Sequence, residues 1–233
     1  MPDAAPSAGS QTLSRGLRVM EVLAEAESAL GIPELCDRLG LHRSIVYRLL
    51  RTLEEHGLVV RDKGGSVRLG PGLAALARTV ERDLQASVLP ELTALANQLG
   101  FTAFLAVLDD DAVVTLVSVE PRHGKASVAQ RPGTRHSLNV GGPGAAIRWL
   151  LASEELRSRG LERPQLRSTD AGILYAVSNA EVIPGVSSVA VPLVLPDHPP
   201  AALAVVRVGP SEDPGQAAAL LATAARAVEA DLS

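Results

Sequence analysis

The order of elements in the first 70 residues constrains the fold more than any other feature of the sequence. Apolar residues spaced by three and four predict an amphipathic helix over about 13–27. Pro33 and Glu34 suit the first turn of a second helix, which stops at Gly40. The same spacing predicts a third helix over about 43–56. The apolar positions are Leu13, Leu17, Met20 and Ala24 in the first helix, and Val46, Leu49, Leu50 and Leu53 in the third.

Two short strands are predicted after the third helix, at 58–61 and 66–69. The four residues between them, 62–65, are Asp-Lys-Gly-Gly, which is typical of a tight turn. Two helices joined by a short turn and followed by a β-hairpin are the order of elements in a winged helix-turn-helix. We therefore predict a winged helix-turn-helix DNA-binding domain over 13–70, with residues 1–12 as a disordered tail.

The third helix has a polar face that suits the major groove of DNA. Positions 44, 47, 48 and 51 follow the i, i+3, i+4, i+7 spacing, so they share the face opposite the apolar one. An Arg on that face has the geometry to bind guanine or phosphate through two hydrogen bonds, and Ser44 lies near the positive end of the helix dipole. The predicted DNA-contacting residues are Arg43, Ser44, Tyr47, Arg48 and Arg51 of the helix, with Lys63 and Arg68 of the hairpin.

A solvated helix face is the alternative, since Glu54 and Glu55 lie close enough to Arg51 for ion pairs within the helix. The charge distribution favours DNA. Residues 1–70 carry nine basic and nine acidic side chains, whereas residues 71–233 carry 13 and 17, so the net charge of −4 arises in the C-terminal part. Four arginines also follow one another at positions 38, 43, 48 and 51, with no acidic residue between Arg38 and Arg51.

The rest of the chain is predicted to be α+β. A helical pattern over 73–99, interrupted near Pro90, predicts a linker helix at 71–89 and a separate C-terminal domain at 90–233. In that domain we predict an antiparallel sheet with packed helices. The predicted strands are 101–108, 112–119, 125–130, 186–195 and 202–208, and the predicted helices are 144–156 and 214–232.

Residues 13–69 resemble the DNA-binding domain of the IclR family of bacterial transcriptional regulators. The matching segments are LSRGL at 13–17, PEL at 33–35, GLHRSIVYRLL at 40–50, LEEHGLV at 53–59 and RLG at 68–70. The resemblance implies a linker helix followed by a GAF/PAS-like domain that binds a small organic effector and forms oligomers. It also implies that effector binding repositions the DNA-binding domains through the linker helix.

The resemblance is weaker over the segments that line the effector site in the family. Gly133, Leu138, Gly144 and Ala146 match, and the segment 185–192 matches well, but Ala145 stands where Lys is usual and Ser188 where Cys is frequent. Because neighbouring strand residues point to opposite faces, only one of Ser187 and Ser188 faces the site, and we predict Ser188. The predicted effector-contacting residues are Asn139, Gly141, Gly142, Gly144, Ala145, Ser188 and Ala204.

Two hypotheses follow. In the first, the chain is a repressor that binds double-stranded operator DNA as a homodimer or homotetramer and senses a largely apolar effector with one polar end. In the second, the C-terminal domain is a vestigial sensor that only assembles the protein, because the segment 146–175 is short and several polar residues of the site are lost.

Several other functions are not predicted. The glycines at 141, 142 and 144 lack the Lys-Ser/Thr of a phosphate-binding loop, and no catalytic constellation occurs, so we expect no enzyme and no cofactor. The histidines lack the spacing of metal ligands. One cysteine, Cys36, is expected to be a small buried hydrophobic residue, and the absence of a signal peptide or spanning segment predicts a cytoplasmic protein.

Overall fold

The computed structural model describes residues 9–123, 128–210 and 213–233. The chain forms two compact units, Met1–Val80 and Glu81–Ser233. The division falls between two helices, where Glu81 adopts a left-handed backbone conformation with φ 45°. Each unit has hydrophobic core clusters of its own.

The first unit is a three-helix core with a β-hairpin, as predicted. Gly31 precedes the second helix and His42 caps the third, whose buried side packs against the first two helices. The hairpin pairs Val59 with Leu69. The elements are α1 Gln11–Glu25, α2 Ile32–Leu39, α3 Arg43–Glu55, β1 Val59–Arg61, β2 Val67–Leu69 and α4 Gly72–Ala77.

The first helix buries a different face from the predicted one. Val19, Val22 and Leu23 lie in the core, whereas Leu13 and Leu17 are 64% and 46% exposed. The helix carries two apolar stripes, and spacing alone does not show which one meets α2 and α3. The helix also begins at Gln11, inside the predicted tail of 1–12; residues 1–8 of that tail lie outside the described residues. Cys36 is partly buried and packs against this core.

The predicted linker helix over 71–89 is two helices. The first, α4, ends at Ala77, and the second runs without a break through Pro90 from Arg82 to Leu99. Leu84 and Val88 are fully buried in the core of the second unit, so this unit begins at Glu81 and not at 90. A proline placed well inside a helix is tolerated here because tertiary packing holds the helix on both sides of it.

The second unit is a seven-stranded antiparallel sheet with helices on both faces. The strand order is β5-β4-β3-β9-β8-β7-β6. The helices α5 and α8 cover one face, and α6 covers the other. The elements are α5 Arg82–Leu99, β3 Thr102–Asp109, β4 Ala112–Val119, β5 Arg135–Ser137, α6 Gly141–Leu150, α7 Ser153–Ser158, β6 Arg167–Ser168, β7 Leu174–Asn179, β8 Val186–Leu193, β9 Ala201–Val208 and α8 Pro214–Asp231.

The predicted α+β class and antiparallel sheet are therefore confirmed, with local corrections. The predicted helix at 144–156 is two helices, α6 and α7, which separate at Leu151 and Ala152. Of the predicted strand at 125–130, residues 128–130 do not form a strand, and residues 125–127 lie outside the described residues. The strands β5, β6 and β7 were not predicted. They have six or fewer residues, too few for a clear alternation to stand out from the neighbouring loops.

Side-chain size differs between the two faces of the sheet in strands β8 and β9. In β9, Leu203 and Val205 face α5 and α8, whereas Ala202 and Ala204 face α6. In β8, Ala190 likewise lies on the α6 face. Small side chains on this face allow α6, which begins Gly-Gly-Pro-Gly-Ala-Ala, to lie very close to the sheet.

The close packing of α6 requires glycine at position 144. A Cβ atom at Gly144 would lie 2.6 Å from the carbonyl oxygen of Leu138. We expect Gly144→Ala to lower the free energy of unfolding by about 1–3 kcal/mol, although alanine by itself favours a helix by about 0.5–1 kcal/mol.

Urea unfolding followed by circular dichroism measures this effect. The control is Gly16→Ala in α1, where an added Cβ meets nothing within 4 Å and is expected to stabilise the chain by about 0.5–1 kcal/mol. A Gly144→Ala protein that gains as much stability as Gly16→Ala would contradict the close contact between α6 and the backbone of Leu138.

Candidate nucleic-acid interface and effector cavity

The third helix presents a fixed polar face because its other side is locked in the core of the first unit. Val46 and Leu50 are fully buried, and Leu49 and Leu53 nearly so. Ser44, Arg48 and Arg51 project on the opposite side, and all three are exposed. Three of the four residues that the spacing places on this face are therefore exposed on the side opposite the core, and the fourth is Tyr47.

At the N-terminus of α3, the imidazole of His42 caps the helix. Its Nδ1 accepts a hydrogen bond from the backbone N–H of Ser44 at 3.4 Å and lies 3.0 Å from the Ser44 hydroxyl. This contact satisfies one of the free N–H groups of the first turn. It also holds Ser44 at the start of the helix, where the dipole favours an anion such as a DNA phosphate.

Tyr47 lies on the edge of this face, between two arginines. Arg43 donates a hydrogen bond from Nη2 to the Tyr47 hydroxyl at 3.1 Å, and this bond raises the pKa of Arg43. The guanidinium of Arg61, from strand β1, lies 5.3 Å from the centre of the Tyr47 ring, and that of Arg43 lies 5.4 Å from it. Tyr47 thereby connects α3 to strand β1 of the hairpin.

Arg61 is a residue that sequence reasoning missed. It is only 27% exposed and forms an ion pair with Glu54, with Nε 3.1 Å from Oε1. Strand alternation explains its position: Arg61 shares the core-facing side of the hairpin with Val59 and Val67, so it reaches α3. Its role in the structure is to join the hairpin to the helix.

The hairpin presents Lys63 and Arg68 to solvent. Lys63 lies in the turn, where the Asp62 side chain accepts a hydrogen bond from the Ser66 N–H at 2.9 Å. Arg68 pairs with Val60 across the hairpin, and both point away from the helical core. Neither cation forms an ion pair within the described residues.

Arg48 lies apart from Tyr47 and beside α1. Together with Arg15 it lines a groove of about 550 Å³ whose floor includes Leu13, Leu17 and Ile45. Neither Arg15 nor Arg48 forms an ion pair in the part of the chain that the structure describes, whereas Arg51 pairs with Glu55 at 3.1 Å. Arg15 was not predicted as a functional residue, because the spacing of the first helix points only to its apolar positions.

In the second unit, a cavity lies where the N-terminus of α6 approaches strands β7 and β8. Its volume is about 70 Å³, well below the roughly 300–1,000 Å³ of common ligand sites. It is lined by Phe104, Gln130, Thr134, His136, Gly141, Pro143, Ser178, Val182, Ile183, Val186, Ser187, Ser188 and Val206.

Ser188 is the polar centre of this cavity. It pairs with Ser178 across the β7–β8 ladder, and the two hydroxyl oxygens lie 3.2 Å apart. The Ser188 Oγ also accepts a hydrogen bond from the backbone N–H of Gly142 at 3.2 Å. Ser187 points the other way and donates to the carbonyl of Gly209, so the alternation along β8 is as expected.

The predicted effector set is only partly assembled at the cavity. Gly141 and Ser188 line it, and Gly142 contacts it through Ser188. Four other predicted residues do not line it. Asn139 is exposed, and its backbone N–H donates to Ser137; Gly144 packs on Leu138; Ala145 and Ala204 pack in the apolar layer between α6 and the sheet.

Three residues near the cavity were missed by sequence reasoning: His136, Ser178 and Glu181. Glu181 accepts a hydrogen bond from the Gly141 N–H at 2.9 Å. The Nε2 atom of His136 is buried and has no hydrogen-bond partner among the described residues. Burial lowers the pKa of His136, and it also lowers the pKa of Arg148, where the carboxylate of Glu181 opposes the shift.

Two further findings bear on function. Across residues 9–123, 128–210 and 213–233, no three His, Cys, Asp or Glu side chains are grouped as metal ligands. No helix in the same ranges combines the length and the apolar character that crossing a membrane requires.

Comparison with known proteins identifies the family. The model of the IclR helix-turn-helix domain matches residues 12–63. The regulator BhcR of Paracoccus denitrificans is 32% identical, over 80% of this chain and 73% of that protein. The chain belongs to the IclR family. Matches to two other regulators, Rv1719 of Mycobacterium tuberculosis and the repressor IclR of Escherichia coli, cover 45% and 57% of those proteins, at 35% and 30% identity.

Solved IclR structures share the fold over nearly the whole chain. An IclR regulator from Alicyclobacillus acidocaldarius has a TM-score of 0.78 and 25% identity, and covers 97% of this chain and 100% of its own. An IclR homologue from Microbacterium hydrocarbonoxydans, complexed with 4-hydroxybenzoate, has a TM-score of 0.75 at 22% identity, and the match covers 95% of this chain and 98% of that one. These relatives are transcriptional regulators and not enzymes, which confirms the prediction that the chain is not an enzyme.

The lowered pKa of His136 predicts a pH dependence. Because the folded state binds the proton less tightly than the unfolded chain, protonation favours unfolding. The free energy of unfolding of the second unit is therefore expected to fall as the pH drops below about 6.5, the ordinary pKa of histidine.

The measurement is thermal unfolding on both sides of that pH, for the wild-type protein and for His136→Gln. The variant should lose less stability on acidification than the wild type. The control is His56→Gln, since His56 is exposed in the first unit. If His136→Gln and the wild type lose stability equally, His136 is not the group responsible.

Proposed function

We propose that this IclR-family protein is a repressor that binds operator DNA as a homodimer or a dimer of dimers. The observation that carries the proposal is the polar face of α3, where Ser44, Arg48 and Arg51 stand opposite a fully buried side. A helix fixed in this way presents an unchanging set of donors to the major groove. Two copies are required because an operator with two half-sites needs two recognition helices.

Each cationic residue has a proposed role. Arg51 lies near the centre of the exposed face and is the residue proposed to read a base, with the Glu55 ion pair giving way on binding. An exposed pair of this kind contributes little stability, so exchanging it for a guanine contact costs little. Arg48 lies towards α1 and is proposed to contact DNA beside Arg51. Arg43 and Tyr47 complete the interface on the side of the hairpin, and Lys63 and Arg68 are proposed to bind phosphates.

We further propose that the second unit senses a small molecule. This proposal is supported by the cavity at the α6 N-terminus, which holds polar groups in an apolar wall, and by the related fold whose structure contains 4-hydroxybenzoate. The small volume of the cavity, about 70 Å³, favours the alternative, in which the second unit only assembles the protein. A ligand regulates DNA binding only if it favours one of two arrangements of the DNA-binding units.

Salt dependence tests the proposed phosphate contacts. Each phosphate contact contributes about 0.9 to the slope of log affinity against log salt concentration. Lys63→Ala and Arg68→Ala are each expected to reduce the magnitude of that slope by about 0.9, because each removes one phosphate contact. The measurement is the fluorescence anisotropy of a labelled duplex titrated with protein at several salt concentrations.

The matched control is Arg226→Ala, which removes the same charge from an exposed position on α8 of the second unit. Within the described residues, the Arg226 side chain forms hydrogen bonds only inside its own helix. The slope for this variant should equal that of the wild type. Equal slopes for the wild type, Lys63→Ala and Arg68→Ala would exclude the hairpin from the interface.

A further inference from the structure

The N-terminus of α6 borders the cavity but has no free donor for an anion. The backbone N–H of Gly141 is taken by the carboxylate of Glu181 at 2.9 Å, and that of Gly142 by the Ser188 hydroxyl at 3.2 Å. The third residue of the helix is Pro143, which has no N–H. The N–H groups that bind anions at other helix N-termini are therefore all occupied or missing here.

Among the described residues, the lining of the cavity also has no cationic side chain. None of these lining residues is Lys or Arg, and the one titratable residue among them is His136, whose pKa is lowered by burial. Arg148 interacts electrostatically with Glu181 but does not line the cavity. An anionic ligand would thus meet a neutral wall with the negative charge of Glu181 at its edge.

Two groups beside the α6 N-terminus are placed to contact a neutral ligand, in addition to Gln130 and Thr134, which also line the cavity. Ser178 and Ser188 have two hydroxyl protons between them, and only one of these lies in the hydrogen bond that joins them. The other hydroxyl proton is left to donate to a carbonyl or hydroxyl oxygen of the ligand. The second group is the Nε2 atom of His136, which is buried without a partner beside Gly141.

From this arrangement we propose that the cavity binds a small neutral molecule, an amide or an alcohol, and discriminates against the carboxylate of the same shape. Ser188 and His136 provide the polar contacts, and Glu181 excludes the carboxylate by holding the helix N-terminus. The inference rests on the proposed sensing function and specifies its ligand class. The volume of about 70 Å³ admits about five water-sized groups, which limits the ligand to a few heavy atoms unless the cavity widens.

Propanamide and propanoate are suitable probes because they share one shape and differ in charge. Saturation-transfer NMR on the full chain is expected to detect propanamide at millimolar concentration and to show propanoate binding at least about tenfold more weakly, as one unit charge nearby implies. Glu181→Gln keeps an oxygen that can accept from Gly141 and removes the charge, so it should bring propanoate to within about threefold of propanamide. His136→Ala should weaken propanamide.

Three outcomes overturn the proposal: propanoate binds as tightly as propanamide in the wild type, Glu181→Gln leaves the ratio of the two affinities unchanged, or neither probe binds. In the last case the second unit is the ligand-free assembly module. DNA binding is measured on the same preparations, without propanamide or propanoate, by the fluorescence anisotropy of a labelled duplex. If the protein binds DNA but shows one of these three outcomes, the ligand proposal fails while the proposed repressor function stands.

Discussion

The two-sided burial of the seven-stranded sheet is the constraint on which the second unit depends. Because strand residues alternate, β8 and β9 supply mainly large side chains to α5 and α8 and mainly small ones to α6. The alanines on the α6 face bring the glycine-rich start of that helix against β8, where Gly142 reaches the Ser188 hydroxyl. The cavity is small and its helix N-terminus is closed as a direct result of this approach, so the packing that stabilises the unit also limits the space and the free N–H groups in the cavity.

In the first unit, burial of one side of helix α3 likewise fixes the position of its exposed side. Burial of Val46 and Leu50 fixes the rotation of α3, and the contacts of Tyr47 with Arg43 and Arg61 connect its exposed face to the hairpin. A preorganised face loses little conformational freedom on binding DNA. The ion pairs of Arg51 and Arg61 keep cations in place without neutralising the face as a whole, since Arg48, Lys63 and Arg68 stay unpaired within the described chain.

The local sequence pattern predicted much of this structure, and the features it missed depend on contacts between residues far apart in the chain. The helices of the first unit, the hairpin and the long central strands follow from spacing and turn residues. Spacing did not show that α1 buries Val19 instead of Leu17, nor that packing carries α5 through Pro90. The cavity was harder still: the resemblance pointed to Ser188, but His136, Ser178 and Glu181 come from other parts of the chain and meet it only through strand register and the approach of α6. Such long-range pairing leaves no local signal.

The central claim is that the exposed face of α3 reads a base sequence. Selection of bound duplexes from a random pool, followed by sequencing, tests it most directly. The account predicts an enriched inverted repeat whose half-sites are about one helical turn, or a multiple of it, apart. It also predicts that Arg51→Ala enriches the same repeat with one guanine position per half-site relaxed. Failure of the wild-type chain to enrich any motif, or an unchanged motif with Arg51→Ala, would contradict the account.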